Sequence, residues 1–168
     1  MERGRPHLDI LKEALLLEQR GKAFYAKVAE QASTPAVKEF FGMMAEEEEH
    51  HVEVLSEQYR EYQRHGTISP RARPRQEAST FASTVLGERL QKEIAAATFE
   101  AAAISAAMAM ERNAIRLYSE RAEAATEPEE KALYQWLTEW EREHLDFLTK
   151  VDRQVVEAVW NDNHFWPL

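Results

Sequence analysis

The most informative absence in this chain of 168 residues is cysteine. Without a thiol the chain forms no disulfide, no zinc–thiolate site, no iron–sulfur cluster and no rubredoxin-type iron centre. A metal ion bound by this sequence would therefore have to be held by oxygen and nitrogen donors. Carboxylates and imidazoles, which the sequence does contain, are the side chains that supply them.

Glycine and proline are also scarce, with 5 and 6 residues. Alanine, glutamate, leucine, arginine and lysine are abundant instead, a composition that favours long helices. No stretch approaches the roughly 20 apolar residues of a membrane span, and the apolar run at 14–17 is too short for a signal-peptide core. The net charge of −9 argues against nonspecific binding to nucleic acid or an anionic membrane. We therefore expect a cytoplasmic protein without nucleic-acid or membrane partners.

Apolar residues recur at helical spacing along most of the chain and predict an all-α fold. The first three predicted helices cover about residues 7–32, 36–64 and 95–125, and a fourth follows Thr126-Glu127-Pro128 and runs to about residue 159. Ser33-Thr34-Pro35 and Thr126-Glu127-Pro128 mark tight turns, because proline is favoured in the first turn of a helix. Each turn joins two antiparallel neighbours, so the sequence predicts two helical hairpins within a single domain over 1–168.

The connection between the hairpins is about 30 residues long, enough to traverse a helix of about 45 Å. It contains an exposed linker at about 66–78, rich in Pro and Arg, and a short amphipathic segment at about 79–92. This length favours a bundle with one long crossover over a simple up-down-up-down arrangement. An apolar tail at about 160–168 ends the chain and is predicted to pack on the bundle, on another subunit or on a partner.

A set of glutamates and histidines occurs twice in the chain. It consists of Glu18, Glu48 and His51 and, 93 positions later in each case, Glu111, Glu141 and His144. Both side chains of a Glu-x-x-His lie on one helix face. In each hairpin the lone Glu lies about 15 residues before the turn and the Glu-x-x-His about 14 after it, so they share one height. The repeat therefore predicts one site at which two divalent ions offset four carboxylates.

This is the ligand pattern of di-iron and di-manganese carboxylate bundles, with a lone Glu from two helices and Glu-x-x-His from the other two. Carboxylate and imidazole together suit two iron ions, with manganese or zinc as the alternatives. The competing interpretation is a set of solvated glutamates on charged helix faces, as most glutamates are. The duplication of the whole set favours the metal site.

Two tyrosines, Tyr25 and Tyr118, lie two turns after the lone glutamates and on the same helix face. A phenol at this position is a candidate to hydrogen-bond a ligand carboxylate or to carry a transient electron. The alternative is a core tyrosine with one satisfied hydroxyl. We treat both as tentative catalytic residues.

Glu47 and His50 offer a second Glu-x-x-His register that overlaps the first. The equivalent of Glu47 in the second hairpin is Trp140, however, so this register is not repeated. We therefore expect His50 to be an exposed or packing histidine.

The motifs Glu18-x6-Tyr25, Glu111-x6-Tyr118, EEEEHHVEVL at 46–55 and EREH at 141–144 resemble those of the ferritin-like superfamily. The similarity is greatest to the rubrerythrin-type ferritin-like domain and covers about residues 8–158. The resemblance implies a ferritin-like four-helix bundle with a dinuclear iron centre, usually in homodimers or larger assemblies. It implies that Glu48 and Glu141 bridge the metals and that His51 and His144 are terminal ligands.

The sequence departs from rubrerythrins at two points. The rubredoxin module that they commonly carry needs cysteine, which this sequence lacks. Rubrerythrins also often have an extra Glu one turn after the third-helix ligand, and that position is Ala114 here. The resemblance therefore implies a more symmetric site, without the metal movement associated with the extra ligand.

The leading functional hypothesis is a di-iron oxidoreductase that reduces hydrogen peroxide or dioxygen with electrons from a separate donor. Ferrous-iron oxidation in iron handling and manganese catalase-like activity are the enzymatic alternatives. A non-catalytic metal-binding or interaction protein is the alternative of another class.

Overall fold

Four long helices account for most of the residues described by the computed structural model, which are 5–69, 89–90, 92–94 and 99–161. The helices are α1 (Arg5–Gln31), α2 (Pro35–His65), α3 (Phe99–Ala124) and α4 (Pro128–Trp160), and no strand occurs among the described residues. The predicted helix ends agree within two residues wherever they can be compared. The start predicted for α3 at residue 95, most of the predicted linker and amphipathic segment, and the tail after residue 161 lie outside the described residues.

Local sequence explains where α2 begins and ends. Thr34 has extended backbone angles (φ −113°, ψ 145°) and precedes Pro35, which occupies the first turn as predicted. At the other end Gly66 adopts a left-handed conformation with φ 71°, which glycine tolerates without steric cost. Its N–H donates to the carbonyl oxygen of Tyr62 at 2.9 Å and so closes the helix.

The two hairpins pack so that α1 and α3 run in opposite directions. Tyr25 of α1 reaches Glu111 of α3, while Tyr118 of α3 reaches Glu18 of α1. Because α2 is antiparallel to α1, α2 and α3 run in the same direction, and the connection between them must return along the bundle. The prediction of a ferritin-like bundle with a long crossover is therefore confirmed.

The described part of the crossover lies against the first hairpin. Leu90 and Ile94 are buried in the core. The carboxylate of Glu93 accepts a hydrogen bond of 2.8 Å from the backbone N–H of Ala36, one of the N–H groups at the start of α2 that have no partner within the helix. These contacts hold the crossover where α2 begins.

The apolar core forms two clusters, one toward each end of the bundle. The first includes Tyr25, Val28, Phe40, Phe41, Ile104 and Leu148. The second includes Leu11, Leu55, Tyr118, Tyr134 and Leu137. The opposite helix faces are charged, and none of the described helices is long and apolar enough to cross a membrane. Between the two clusters lies a level of the bundle occupied by polar side chains.

Candidate metal centre

Six ionisable side chains converge between the apolar clusters, and none is more than 3% exposed. They are Glu18 from α1, Glu48 and His51 from α2, Glu111 from α3, and Glu141 and His144 from α4. The sequence repeat predicted that these six residues share one level of the bundle, and the structure brings all six together there.

Their donor atoms form two overlapping groups. One contains Glu18, Glu48, His51 and Glu141, the other Glu48, Glu111, Glu141 and His144, and within each group the donor atoms lie within 4.8 Å of one another. Glu48 and Glu141 belong to both groups. In this arrangement each group has its own histidine and its own lone glutamate, while the two shared carboxylates lie between them.

The Nδ1 atoms of both imidazoles face the carboxylates of this cluster. His51 Nδ1 lies 3.1 Å from Glu18 Oε2, 3.1 Å from Glu141 Oε1 and 3.2 Å from Glu48 Oε2. His144 Nδ1 lies 3.3 Å from Glu141 Oε2. Within the described ranges no Lys or Arg forms an ion pair with any of the four glutamates. Histidine is therefore their only cationic partner there.

Burial and the closeness of the carboxylates to one another shift their pKa values. Burial, with the charges of Glu141 and Glu18, raises the pKa of Glu48 well above its usual value. Burial and Glu141 raise the pKa of Glu111 to about 8. For Glu141 burial also favours the neutral form, but the charge of His51 together with hydrogen bonds from Glu111, His144 and His51 outweighs it and holds the pKa well below its usual value.

The histidine pKa values are raised by the same cluster. Burial acts to lower the pKa of His51, yet Glu141 and the other neighbouring carboxylates raise it well above its usual value. Hydrogen bonding to Glu111 and Glu141 does the same for His144 against the effect of burial. Without cations the cluster retains protons, and these are the protons that metal ions displace when they bind carboxylate and imidazole ligands.

A small cavity of about 20 Å³ lies beside the cluster and is lined by all four glutamates. Its other lining residues are Leu17, Gly21, Tyr25, Met110 and Ala114. Gly21 leaves room beside the carboxylate of Glu48, because a Cβ at this position would lie 3.5 Å from Glu48 Cδ. Four carboxylates around one small cavity, with two imidazoles in the same cluster and no ion pair to lysine or arginine among the described residues, fit a metal site.

The two tyrosines connect the hairpins across this site. The hydroxyl of Tyr25 donates to Glu111 Oε1, and the hydroxyl of Tyr118 donates to Glu18 Oε1. Each phenol therefore contacts the lone glutamate of the other hairpin rather than that of its own helix. Burial and the neighbouring carboxylates raise both phenol pKa values well above normal, so both hydroxyls keep their protons as donors.

One residue that contacts the site, Glu47, was not predicted from the sequence to do so. Glu47 Oε2 accepts hydrogen bonds from Trp140 Nε1 at 2.6 Å and from His144 Nε2 at 2.7 Å. His50, the other member of the Glu47-x-x-His50 pattern, has a side chain that is 43% exposed and packs beside Trp136. The sequence does contain one indication of this contact. Glu47 and Trp140 are equivalent positions of the repeat, and a carboxylate and an indole N–H that face each other can form a hydrogen bond.

The fold and the cluster together define a ferritin-like four-helix bundle with a buried carboxylate–histidine site suited to metal. The family model described as Rubrerythrin matches residues 9–151, so the chain belongs to the rubrerythrin family. Searches of curated proteins and of solved structures found no match. The predicted family resemblance is thereby confirmed, and iron is the metal usually associated with it.

Proposed function

We propose that this protein is a di-iron carboxylate oxidoreductase that reduces hydrogen peroxide or dioxygen with electrons from an external donor. The observation that carries the proposal is the pair of overlapping four-residue groups that share Glu48 and Glu141. Glu18, Glu48 and Glu141 with His51 would hold one ion, and Glu48, Glu111 and Glu141 with His144 the other. Four carboxylates balance the charge of two divalent ions without help from lysine or arginine.

When bound, a pair of iron ions supplies the redox chemistry, in which hydrogen peroxide takes up two electrons and two protons and becomes two water molecules. The role of the chain is to hold the ligands and to limit access. Met44 and Leu137, both fully buried, lie one turn before Glu48 and Glu141 and keep bulk water from the cluster. The cavity of about 20 Å³ has room for a molecule of only a few atoms, which suits peroxide or dioxygen.

The electrons have to come from outside the chain in this proposal. A thiolate-bound iron centre that could relay them requires cysteine, and the sequence has none. The donor is therefore a separate protein or a small reductant. A cytoplasmic location and a homodimeric or larger assembly stay predictions, which cell fractionation and light scattering of the purified protein would test.

Manganese catalase-like disproportionation of peroxide is the second candidate. It is favoured by Ala114, which leaves four glutamates and two histidines as a nearly symmetric ligand set. Such a set is shared by di-iron and di-manganese bundles. Ferrous-iron oxidation in iron handling would use the same residues.

Metal analysis of native protein, followed by peroxide consumption with and without a reductant, separates these functions. The oxidoreductase predicts stoichiometric iron and peroxide consumption that depends on the reductant. Manganese with oxygen release in the absence of reductant would identify the catalase-like activity instead. Stoichiometric iron with neither iron oxidation nor peroxide consumption would leave a non-catalytic metal-binding protein.

A further inference from the structure

We propose that Glu47 is a positioning residue that holds the His144 imidazole and makes the His144 position the tighter of two unequal metal positions. The inference rests on the two-metal site proposed above. It goes beyond that proposal because the duplicated ligands alone would predict two equivalent positions.

On one side of the site a carboxylate holds the outer ring nitrogen of the histidine. His144 Nε2 lies 2.7 Å from Glu47 Oε2, while Nδ1 lies 3.3 Å from Glu141 Oε2 in the cluster. A carboxylate oxygen accepts the Nε2–H, so the neutral imidazole keeps its lone pair on Nδ1, the atom directed at the cluster. Glu47 thereby selects both the ring orientation and the tautomer that binds a cation.

On the other side the outer nitrogen of the histidine is not held in this way. His51 Nδ1 faces the cluster, but among the described residues Nε2 has no hydrogen-bond partner. The ring instead packs edge-on against Trp136 and Trp140, with centroid distances of 5.6 and 5.8 Å. An indole N–H is a donor only, so neither tryptophan offers a lone pair to the Nε2–H of His51. This ring is therefore oriented by packing and by its Nδ1 contacts with the cluster, without a carboxylate at its outer nitrogen in the described part of the chain.

The inequality arises from one pair of positions in the repeat. Trp140 stands 93 positions after Glu47, and the two side chains meet, with Trp140 Nε1 donating to Glu47 Oε2 at 2.6 Å. The indole donor helps to hold the carboxylate, whose side chain is only 14% exposed. Because one of the two equivalent positions is an acid and the other an indole, only His144 has a carboxylate partner at its outer nitrogen among the described residues.

The expected size of the effect follows from other histidine metal ligands. Loss of the outer hydrogen-bond partner of such a histidine typically weakens metal affinity by about 10- to 100-fold. The two ions should therefore bind to the wild-type protein in two resolved steps.

The test is a titration of metal-free protein with Mn²⁺, in which electron paramagnetic resonance counts the free ion. Wild-type protein should bind two ions with unequal affinity. In Glu47→Ala the tighter step should weaken by about 10- to 100-fold while the weaker step is unchanged. Glu47→Gln should lose less, because its amide oxygen still accepts the Nε2–H.

Glu46→Gln is the matched control, since Glu46 is the exposed neighbour on the same helix and the substitution makes the same charge change. It should leave both steps unchanged. Circular dichroism verifies that each variant is folded, and Mössbauer spectra of iron-loaded protein supply a second measurement. Wild-type protein should show two distinct iron environments, of which Glu47→Ala alters one.

Equal affinities in the wild-type protein, or equal weakening of both steps by Glu47→Ala and Glu47→Gln, would overturn the proposal and leave the two-metal site intact. Failure of the wild-type protein to bind two ions would overturn the site itself. Trp140→Phe removes the indole donor but keeps Glu47, so it should weaken the same step less than Glu47→Ala does.

Discussion

The two hairpins contribute the same ligands to the site but differ in what surrounds them. Each supplies one lone Glu and one Glu-x-x-His, whereas Glu47 and Gly21 of the first hairpin correspond to Trp140 and Ala114 of the second. A buried carboxylate without a counter-charge costs several kcal/mol, so the charge balance of the site depends on its ligand residues together. Their neighbours differ between the hairpins, and the comparison shows that ligand identity and ligand environment are separate properties of this site.

The largest predicted effect is a loss of bound metal, which should differ between the two shared carboxylates and the two unshared ones. Because Glu48 and Glu141 belong to both groups, Glu48→Ala and Glu141→Ala should each abolish binding of two ions. Glu18→Ala and Glu111→Ala should each remove only the ion of their own group. Elemental analysis of the purified variants measures the metal content per chain.

A repeat-related pair serves as the control for these substitutions. Glu46 and Glu139 are equivalent positions and both are exposed, so replacing either with Ala should leave the metal content at the wild-type value. Full metal content in both Glu48→Ala and Glu141→Ala would refute the assignment of the site.

The next effect concerns the pH dependence of folding without metal. The pKa of Glu111 is about 8 in the folded protein, against about 4.5 in the unfolded chain. The contribution of Glu111 to the unfolding free energy is therefore complete below the unfolded pKa and is lost as the pH rises to about 8. Each such group changes the unfolding free energy by roughly 1.4 kcal/mol per pH unit within its window. The raised pKa values of Glu48 and His51 act in the same direction, while the lowered pKa of Glu141 acts only below about 4.5.

Thermal unfolding of metal-free and Mn²⁺-loaded protein at several pH values measures this effect. The metal-free protein should become less stable as pH rises from about 4.5 to about 8. Bound metal should stabilise it more at the higher pH, because binding displaces protons. If the stability of the metal-free protein is constant or increases over this interval, the buried cluster does not retain protons as its raised pKa values imply.

Much of this organisation follows from sequence periodicity. The lone glutamates and the Glu-x-x-His motifs lie at equal distances from their turns, and a helix has a fixed rise per residue. That geometry aligns the ligands within each hairpin, and two-fold related packing of the hairpins then predicts the convergence of six side chains. Pro35 and Pro128 locate the turns. The length of the connection likewise predicted the crossover.

Contacts between helices of different hairpins were less predictable. Tyr25 lies on the helix of Glu18 but bonds Glu111, since which side chains meet depends on the packing of α1 against α3 and not on spacing within one helix. Glu47 was missed for the same reason. Its partners Trp140 and His144 lie on α4, and the relative rotation of α2 and α4 is not encoded in either helix alone.

Substitution of the tyrosines gives a smaller effect that should differ between the metal positions. Tyr118→Phe removes the donor to Glu18 and should weaken only the position that contains His51. Tyr25→Phe removes the donor to Glu111 and should weaken only the position that contains His144. Each should also lower the unfolding free energy of metal-free protein by about 1–3 kcal/mol, because a buried acceptor loses its donor.

Mn²⁺ titration and denaturant unfolding of the two tyrosine variants measure these changes. Tyr134→Phe is the control, since Tyr134 lies in the second apolar cluster and is not among the lining residues of the cavity. Weakening of both metal positions by either Tyr25→Phe or Tyr118→Phe would show that the phenols act on the cluster as a whole.

The smallest predicted effect comes from Gly21 and its equivalent Ala114. Gly21 lies within α1, where glycine costs about 0.5–1 kcal/mol relative to alanine. The added Cβ would lie 3.5 Å from Glu48 Cδ, an ordinary contact, so Gly21→Ala should raise the melting temperature by about 1–4 °C. The same methyl group occupies part of the cavity of about 20 Å³ and should slow peroxide consumption. Ala114→Gly should do the reverse on both counts, and a Gly21→Ala protein that is more stable and equally fast would show that the cavity does not limit access to the site.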